Sequence, residues 1–189
     1  IAGARPLAKA VAAQLARAGI AAVFESSNDL IVASRQAAGD VEYVFAVNAA
    51  APERTQVKNE IAGAEAKITL ASGGRTVYDA VRGGPVEEFG RPASRVTGTF
   101  RFGPGQMRVF ALTARPIGSV HTSTPTVVRD LTITDAPLSL RVSAAVTDEE
   151  GGLLAGAVPL RVRVIDPLGQ TRHDLYRATD GGVLSLSLP

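Results

Sequence analysis

The sequence contains no cysteine, no tryptophan and only two histidines. The absence of cysteine excludes disulfides, thiolate catalysis and zinc sites with cysteine ligands, so stability has to come from packing. His121 and His173 are far apart and belong to no HxH or HExxH motif. We therefore expect no metal site and no cofactor.

Long apolar runs are also absent. No segment approaches the roughly 20 apolar residues of a membrane helix, and no signal peptide is recognisable, so we expect no membrane insertion. The chain begins at Ile1 rather than Met and closes on the alternating run VLSLSLP. Both features predict that it is a fragment of a longer protein.

Charge of neither sign is concentrated. Twenty Lys and Arg residues stand against eighteen Asp and Glu residues, which leaves a formal net charge of +2. The basic residues are scattered along the chain, whereas a nucleic-acid-binding surface needs a basic patch or stripe. We expect no nucleic-acid partner.

Nineteen glycines and eleven prolines separate short apolar runs, a composition typical of turns between strands. One helix is predicted over residues 5–18, because Pro6 suits a first helical position, Gly19 suits a C-terminal stop, and apolar residues four apart share one face. We place this helix, within residues 1–20, at a seam between domains.

The most informative stretch is residues 29–48, where two alternating apolar runs flank a polar turn. This pattern predicts a β-hairpin whose core face carries Val41, Tyr43, Phe45 and Val47. Similar short runs follow at sandwich-like spacing. Residues 21–115 are therefore predicted to form an antiparallel β-sandwich.

The remaining segments complete the predicted organisation. Residues 49–64 are predicted to be strand and loop, and residues 116–126, rich in Pro, Ser and Thr, a linker. Residues 127–189 alternate again around the turns DPLG and DGG, which predicts a second, truncated sandwich of Ig-like or macroglobulin type. The predicted fold class is mainly β, with two antiparallel β-sandwich domains of Ig-like or Greek-key type and one N-terminal helix.

Five motifs follow one another in the first part of the chain: LAKAVAAQLARAGI, DLIVASR, YVFAVN, TVYD and FGPGQMRVFAL. They occupy Leu7 to Ile20, Asp29 to Arg35, Tyr43 to Asn48, Thr76 to Asp79, and Phe102 to Leu112. In this order, residues 5–112 resemble the C-terminal region of glycoside hydrolases such as the family 42 β-galactosidases. In that family a helix ending a Rossmann-like trimerisation domain precedes a small β domain, and the catalytic carboxylates lie in an upstream barrel. The resemblance implies an accessory role.

The string DEEGGLLAGAVPLRVRVIDPLG lies in residues 138–189, which look like a bacterial Ig-like or macroglobulin-type module. The matching positions are Asp148, Gly152, Gly156, Pro159, Asp166, Pro167 and Gly169. Modules of this kind serve as spacers and docking surfaces. Neither resemblance places a catalytic residue at a matched position.

The carboxylates do not suggest catalysis. Glycoside hydrolysis needs two carboxyls across a sugar cleft, whereas Glu87 and Glu88 are adjacent and would point to opposite sides of an extended segment. Asp148, Glu149 and Glu150 form an acidic turn that could bind Ca²⁺ weakly, but Asp and Gly also suit such turns for backbone reasons alone. We expect no catalytic, cofactor-binding or metal-binding residues.

Two tyrosines are candidates for ligand contact, because apolar sugar faces stack on exposed rings. They are Tyr78 and Tyr176. Arg35 and Asp79 are predicted to pair across the sheet surface. The serines and threonines near His121 contain no GxSxG elbow and are explained by linker composition.

Taken together, the sequence predicts a non-catalytic accessory C-terminal segment of a larger, exported carbohydrate-active protein, acting as a structural brace or spacer. Its partners would be the remaining domains of the parent chain, with carbohydrate as a further candidate, and its location extracytoplasmic or secreted. Two alternatives stay open: a carbohydrate-binding module, and a surface or adhesion segment of Ig-like repeats.

Overall fold

The computed structural model describes residues 4–49 and 62–189. Within these ranges the chain forms one α-helix and thirteen strands in four sheets. The helix α1 is Ala4–Arg17. The strands are β1 Phe24–Ser26, β2 Ile31–Ala38, β3 Val41–Asn48, β4 Ala64–Leu70, β5 Val77–Asp79, β6 Val96–Phe102, β7 Met107–Thr113, β8 Ile117–Thr122, β9 Thr126–Val128, β10 Ser139–Asp148, β11 Pro159–Ile165, β12 Thr171–Ala178 and β13 Val183–Leu188. The prediction of a mainly β fold with one N-terminal helix is confirmed, and its antiparallel sheets are consistent with a β-sandwich.

Helix α1 ends as its sequence predicts. Gly19 has a φ of 75°, the left-handed conformation that glycine adopts most readily. Its N–H donates to the carbonyl of Ala16 (3.1 Å), and the N–H of Ile20 donates to the carbonyl of Leu15 (2.9 Å). These are the two hydrogen bonds of a Schellman motif, which pairs carbonyls that the helix end leaves free.

The chain divides into two compact units that interleave in sequence. The first unit is made of Ile1–Val32, Val47–Gly74 and Glu87–Gln106, and its sheet has the order β1-β4-β6. Alternate residues of β4 and β6 are buried there, and the rings of Phe89 and Phe100 pack 4.9 Å apart.

The second unit is made of Ala33–Ala46, Arg75–Val86 and Met107–Pro189. It contains a sheet of order β13-β10-β8, with β9 also paired to β10, the two-stranded sheet β11-β12, and most of the sheet β2-β3-β7-β5. Its core is a cluster of five buried apolar residues: Val41, Ala111, Val146, Leu154 and Val158.

The predicted core face of β3 is wrong except at Val41, which is buried. Val44 and Ala46 are buried, whereas Tyr43, Phe45 and Val47 are only half-buried. Large and β-branched residues occur on both faces of this strand because both faces are at least partly covered. The size of the side chains therefore does not identify which face of β3 is more deeply buried.

The segment predicted to be a linker contains strand β8, which pairs with β10, and its last residue begins β9. Edge strands tolerate Ser, Thr and Gly because one side remains in water, so linker composition and edge-strand composition are easily confused. Most of the predicted strand-and-loop segment 49–64 lies outside the described residues. The division into domains at 21–115 and 127–189 stays a prediction.

Candidate functional site

The hairpin of β11 and β12 carries a polar surface centred on Tyr176. In the strand register Arg161 lies opposite Tyr176, and Arg163 lies opposite Asp174. Residues directly opposite each other in an antiparallel pair share one face of the sheet. We call these four residues the Tyr176 face. The tyrosine is 61% exposed.

Arg161 links the members of the Tyr176 face. Its Nε donates to Oδ1 of Asp174 at 2.9 Å, and its Nη2 donates to Oδ2 at 2.6 Å. The guanidinium carbon lies 5.7 Å from the centroid of the Tyr176 ring, within the range of a cation–π contact. The bidentate pair fixes the plane of the guanidinium, and the guanidinium in turn restricts the ring.

The same contacts set the protonation of the face. The hydrogen bond from Arg161 holds the pKa of Asp174 below its ordinary value, and the charges of Arg161 and Arg163 act in the same direction. The hydrogen bonds that Arg161 donates to Asp174 raise the pKa of Arg161. At neutral pH the face therefore presents one carboxylate and two guanidinium groups around an aromatic ring.

This arrangement suits stacking and hydrogen bonding rather than bond cleavage. The carboxylate oxygens of Asp174 have lone pairs beyond those used by Arg161, and the guanidinium of Arg163 can donate. A flat ligand with hydroxyl groups could lie on the exposed ring and exchange hydrogen bonds at its edge. The face contains one carboxylate, whereas glycoside hydrolysis requires two.

Tyr78, the second predicted ligand contact, makes packing and hydrogen-bonding contacts within the second unit. It is partly buried against the core cluster of the second unit, and its hydroxyl accepts a hydrogen bond from the N–H of Ile117 at 2.9 Å. Tyr78 and Tyr176 belong to different sheets. Ligand contact at either tyrosine stays a prediction, and the exposed ring is that of Tyr176.

The acidic residues that were catalytic or Ca²⁺-binding candidates lie in turns. Glu87 and Glu88 open the 3₁₀ turn Glu87–Phe89. The buried Asp148 pairs with Arg115 at 2.5 Å and accepts the N–H of Gly152 at 2.7 Å, which holds the turn after β10. Within residues 4–49 and 62–189, no three acidic or histidine side chains come together as a metal site would require.

The two histidines lie on different sheets. His121 is exposed on the outer strand β8, where its Nε2 lies 2.8 Å from the hydroxyl oxygen of Ser119. A serine beside a histidine is one element of a nucleophilic site, but both side chains stand in water on an open strand. His173 lies on β12, opposite Val164.

The predicted pair of Arg35 with Asp79 is wrong. Arg35 pairs with Glu42, the next strand's residue across the hairpin turn, and Arg75 donates to the same carboxylate at 3.1 Å. Asp79 instead accepts two backbone N–H groups of the following turn, including that of Arg82 at 2.8 Å. The hairpin itself brings Arg35 and Glu42 together, so the strand register could have revealed this pair.

The Glu42 carboxylate is a charged group whose contacts we did not predict from the sequence. Partial burial alone would raise its pKa, but the hydrogen bonds and charges of Arg35 and Arg75 outweigh that effect, so the pKa of Glu42 lies below its ordinary value. The side chain is largely buried. Its role is to hold the hairpin, because both of its carboxylate oxygens pair with arginines.

Helix α1 presents an apolar stripe to water. Leu7, Val11 and Leu15 are spaced four residues apart, so they share one face, and their exposed fractions are 67%, 50% and 43%. We call these residues the α1 stripe. Beside its C-terminal end, Ile20 and Val23 border an apolar hollow of about 760 Å³ within the first unit.

Comparison with protein-family models, curated proteins and solved structures finds no match to this chain. Its resemblance to glycoside hydrolase C-terminal regions and to Ig-like modules stays a prediction. In the part of the chain that the structure describes, no helix has the length and apolar content needed to cross a membrane.

Proposed function

We propose that this chain is a non-catalytic accessory segment of a larger carbohydrate-active protein, in which it braces or spaces the catalytic part. The α1 stripe is the observation that carries the proposal. Burying apolar surface contributes about 25 cal/mol per Å², and contiguous exposed apolar surface marks interaction sites. Another domain that covered Leu7, Val11 and Leu15 would gain this free energy.

The resemblance of residues 5–112 to glycosidase C-terminal regions supports the carbohydrate-active parent. It also supports remaining domains of that parent as the partners, and an extracytoplasmic or secreted location. The Ig-like pattern of residues 138–189 fits the same role, because such modules act as spacers.

Substitution of one stripe residue tests the proposal. Val11→Asp should leave the stability of the isolated chain within about 0.5 kcal/mol of an equivalent change elsewhere on the helix, because the side chain is half-exposed. In the parent protein it should be clearly destabilising, since it would put a charge into a buried contact. Thermal unfolding of both forms measures the difference.

Ala13→Asp is the matched control, because it introduces the same residue on the opposite face of α1. If both substitutions destabilise the parent equally, the stripe is not covered and the bracing role is refuted. Activity offers an independent check: hydrolysis of aryl glycosides by the isolated chain, abolished when its own carboxylates are replaced, would contradict a non-catalytic role.

A second candidate function is carbohydrate binding, which the Tyr176 face favours. A mostly exposed ring beside a carboxylate and two guanidinium groups supplies a stacking platform with hydrogen-bonding groups at its edge. Ring orientation by Arg161 would reduce the entropy lost when a sugar binds.

Calorimetry against a panel of oligosaccharides tests this function. Saturable binding should disappear in Tyr176→Ala and persist in Tyr176→Phe, because the ring rather than the hydroxyl provides the stacking surface. Tyr78→Phe is the control and should leave binding unchanged. Absence of saturable binding, or equal binding by Tyr176→Ala and the unsubstituted chain, would exclude this site.

A further inference from the structure

The charge of the Tyr176 face narrows the class of carbohydrate that the face would bind, an inference that rests on the second candidate function. Successive residues of a strand point to opposite faces of the sheet, so Arg161 and Arg163 of β11 lie on one side. Their register partners on β12, Tyr176 and Asp174, lie on the same side. All four residues are exposed, whereas the residues that alternate with the two arginines on β11 are half-buried.

One guanidinium group of the Tyr176 face has no carboxylate paired with it. Asp174 accepts two hydrogen bonds from Arg161, at 2.9 and 2.6 Å, so these two charges compensate each other. Arg163 forms no ion pair within residues 4–49 and 62–189. The next arginine along the hairpin, Arg172, pairs with Asp166 at 2.7 Å. The face therefore keeps one uncompensated positive charge, at Arg163.

Arg163 lies close enough to Tyr176 for one ligand to contact both. The two residues are diagonal neighbours across the strand pair, because Arg163 is opposite Asp174 and Tyr176 is two residues further along β12. Diagonal neighbours are separated by about 7–8 Å, a distance that aromatic and long side chains span. A sugar stacked on the ring therefore brings its own substituents, or those of the next sugar in the chain, to the guanidinium of Arg163.

A sugar that carries a carboxylate matches both the ring and the unpaired guanidinium. A guanidinium group presents parallel N–H donors that fit the two oxygens of a carboxylate. Arg161 and Asp174 already adopt this geometry within the face. The carboxylate of a uronic acid has the shape and charge of the Asp174 carboxylate, so it can pair with Arg163 in the same way. A neutral sugar would leave Arg163 without a counter-charge.

We propose that the Tyr176 face binds glycans that contain uronic acid. One sugar ring stacks on Tyr176, and a uronate carboxylate pairs with Arg163. The charge of Asp174 does not oppose this binding strongly, because Arg161 compensates it. The new ion pair stays exposed to water, and an exposed pair changes affinity by a factor of about two to five. Stacking therefore supplies most of the affinity, and Arg163 supplies the preference for acidic over neutral glycans.

Calorimetry on the whole 189-residue chain with tetragalacturonate and with its fully methyl-esterified form tests the proposal. The two ligands share one backbone and differ in charge. In low-salt buffer, tetragalacturonate should bind about two- to fivefold more tightly than the ester. The difference should shrink in about 1 M salt, where the Debye length is about 3 Å. Tyr176→Ala should abolish the binding of both ligands, because both stack on the ring.

Substitutions of Arg163 separate charge recognition from stacking. Arg163→Gln should lower the affinity for tetragalacturonate to that for the methyl ester, and should leave the affinity for the ester unchanged. Arg163→Lys keeps the positive charge and should keep part of the preference. Arg82→Gln is the matched control, because Arg82 is an exposed arginine between β5 and β6, outside the hairpin. This control should bind both ligands as the unsubstituted chain does.

The outcomes distinguish failure of this proposal from failure of carbohydrate binding itself. Saturable binding of both glycans without a preference for tetragalacturonate would leave carbohydrate binding standing and refute the preference for uronic acid. No saturable binding of either glycan would refute both.

Two further results would overturn the proposal. A preference that survives in Arg163→Gln would place charge recognition elsewhere. Tetraglutamate binding as tight as tetragalacturonate binding would assign the face to acidic peptides. If Arg163→Gln does not fold, NMR of the unsubstituted chain decides, because tetragalacturonate should shift the Nε–H signal of Arg163 more than the methyl ester does. Equal shifts would refute the pairing.

Discussion

Thr179 connects the end of β12 to the start of β11, and removal of its hydroxyl should destabilise the second unit. The side chain is 3% exposed. Its hydroxyl donates to the carbonyl of Gly156 at 2.6 Å and accepts the N–H of Val158 at 2.8 Å. Thr179→Val keeps the shape of the side chain and removes both hydrogen bonds.

The size of the destabilisation depends on which hydrogen-bond partner of the Thr179 hydroxyl is left unpaired. The carbonyl of Gly156 also accepts the N–H of Gly182 at 2.9 Å, so it remains paired. The N–H of Val158 loses its acceptor in a buried place, which costs about 1–3 kcal/mol. We expect Thr179→Val to lower the free energy of unfolding by about 2 kcal/mol. Thr179→Ser keeps the hydroxyl and should lose only about 1 kcal/mol for the missing methyl group.

Tyrosine fluorescence in a urea titration is a suitable assay. The chain has no tryptophan and three tyrosines, and Tyr43, Tyr78 and Tyr176 all belong to the second unit. The signal therefore follows the unit that contains the substitution. A Thr179→Val chain within about 0.5 kcal/mol of the unsubstituted one, or a Thr179→Ser chain less stable than Thr179→Val, would refute the reasoning.

Two further predictions concern the second unit. Glu42→Gln should lower the free energy of unfolding by about 1 kcal/mol at neutral pH, because the ion pairs with Arg35 and Arg75 are lost. The pKa of Glu42 is lowered in the folded state. Its contribution to the free energy of unfolding is therefore full above the ordinary value of 4.5 and disappears as pH falls through the folded pKa. Urea titrations along a pH series should show the stabilities of the Glu42→Gln chain and the unsubstituted chain converging at low pH. Gly156→Ala should cost more than about 2 kcal/mol, since its Cβ would lie 2.6 Å from the carbonyl oxygen of Ala38, and thermal unfolding followed by circular dichroism measures this.

Each of these substitutions has a matched control. Glu65 pairs with Arg101 while both side chains are mostly exposed, so Glu65→Gln should cost less than about 0.5 kcal/mol. A Cβ at Gly103 would make only ordinary contacts, the nearest at 3.5 Å, so Gly103→Ala should be far milder than Gly156→Ala. Controls as damaging as the tested substitutions would show that burial and close approach are not the cause.

The candidate site shows where sequence reasoning stops. The sequence pointed to Tyr176, but β12 was not among the predicted strands, because its residues Thr171–Ala178 are mostly charged or polar. The strand forms because β11 pairs with it along its whole length. Its register then places Arg161 beside Asp174 and Tyr176, a relation that spacing along the chain does not contain.

Asn48, in contrast to β12, lies at a strand end that the sequence predicted. The sequence marks it as the end of an alternating run, and the structure ends β3 there. The side chain is buried, and its Nδ2 donates to the carbonyl oxygens of Ala62 (2.9 Å) and Gly103 (3.0 Å). The end of the strand could be predicted from neighbouring residues, whereas the acceptors of the Asn48 side chain lie in two distant segments.

Apart from strands such as β8 and β12, the sequence by itself determined the elements: a helix with its glycine stop, short strands with period-two alternation, and turns rich in Gly and Asp. These are local properties of backbone and side chains, so neighbouring residues suffice to predict them. Only the tertiary structure decided which face of β3 is buried, that Arg75 joins Arg35 at the Glu42 carboxylate, and that the Asn48 side chain donates to Gly103. These features depend on residues far apart in sequence, because burial and ion pairing are set by the segments that fold against each other.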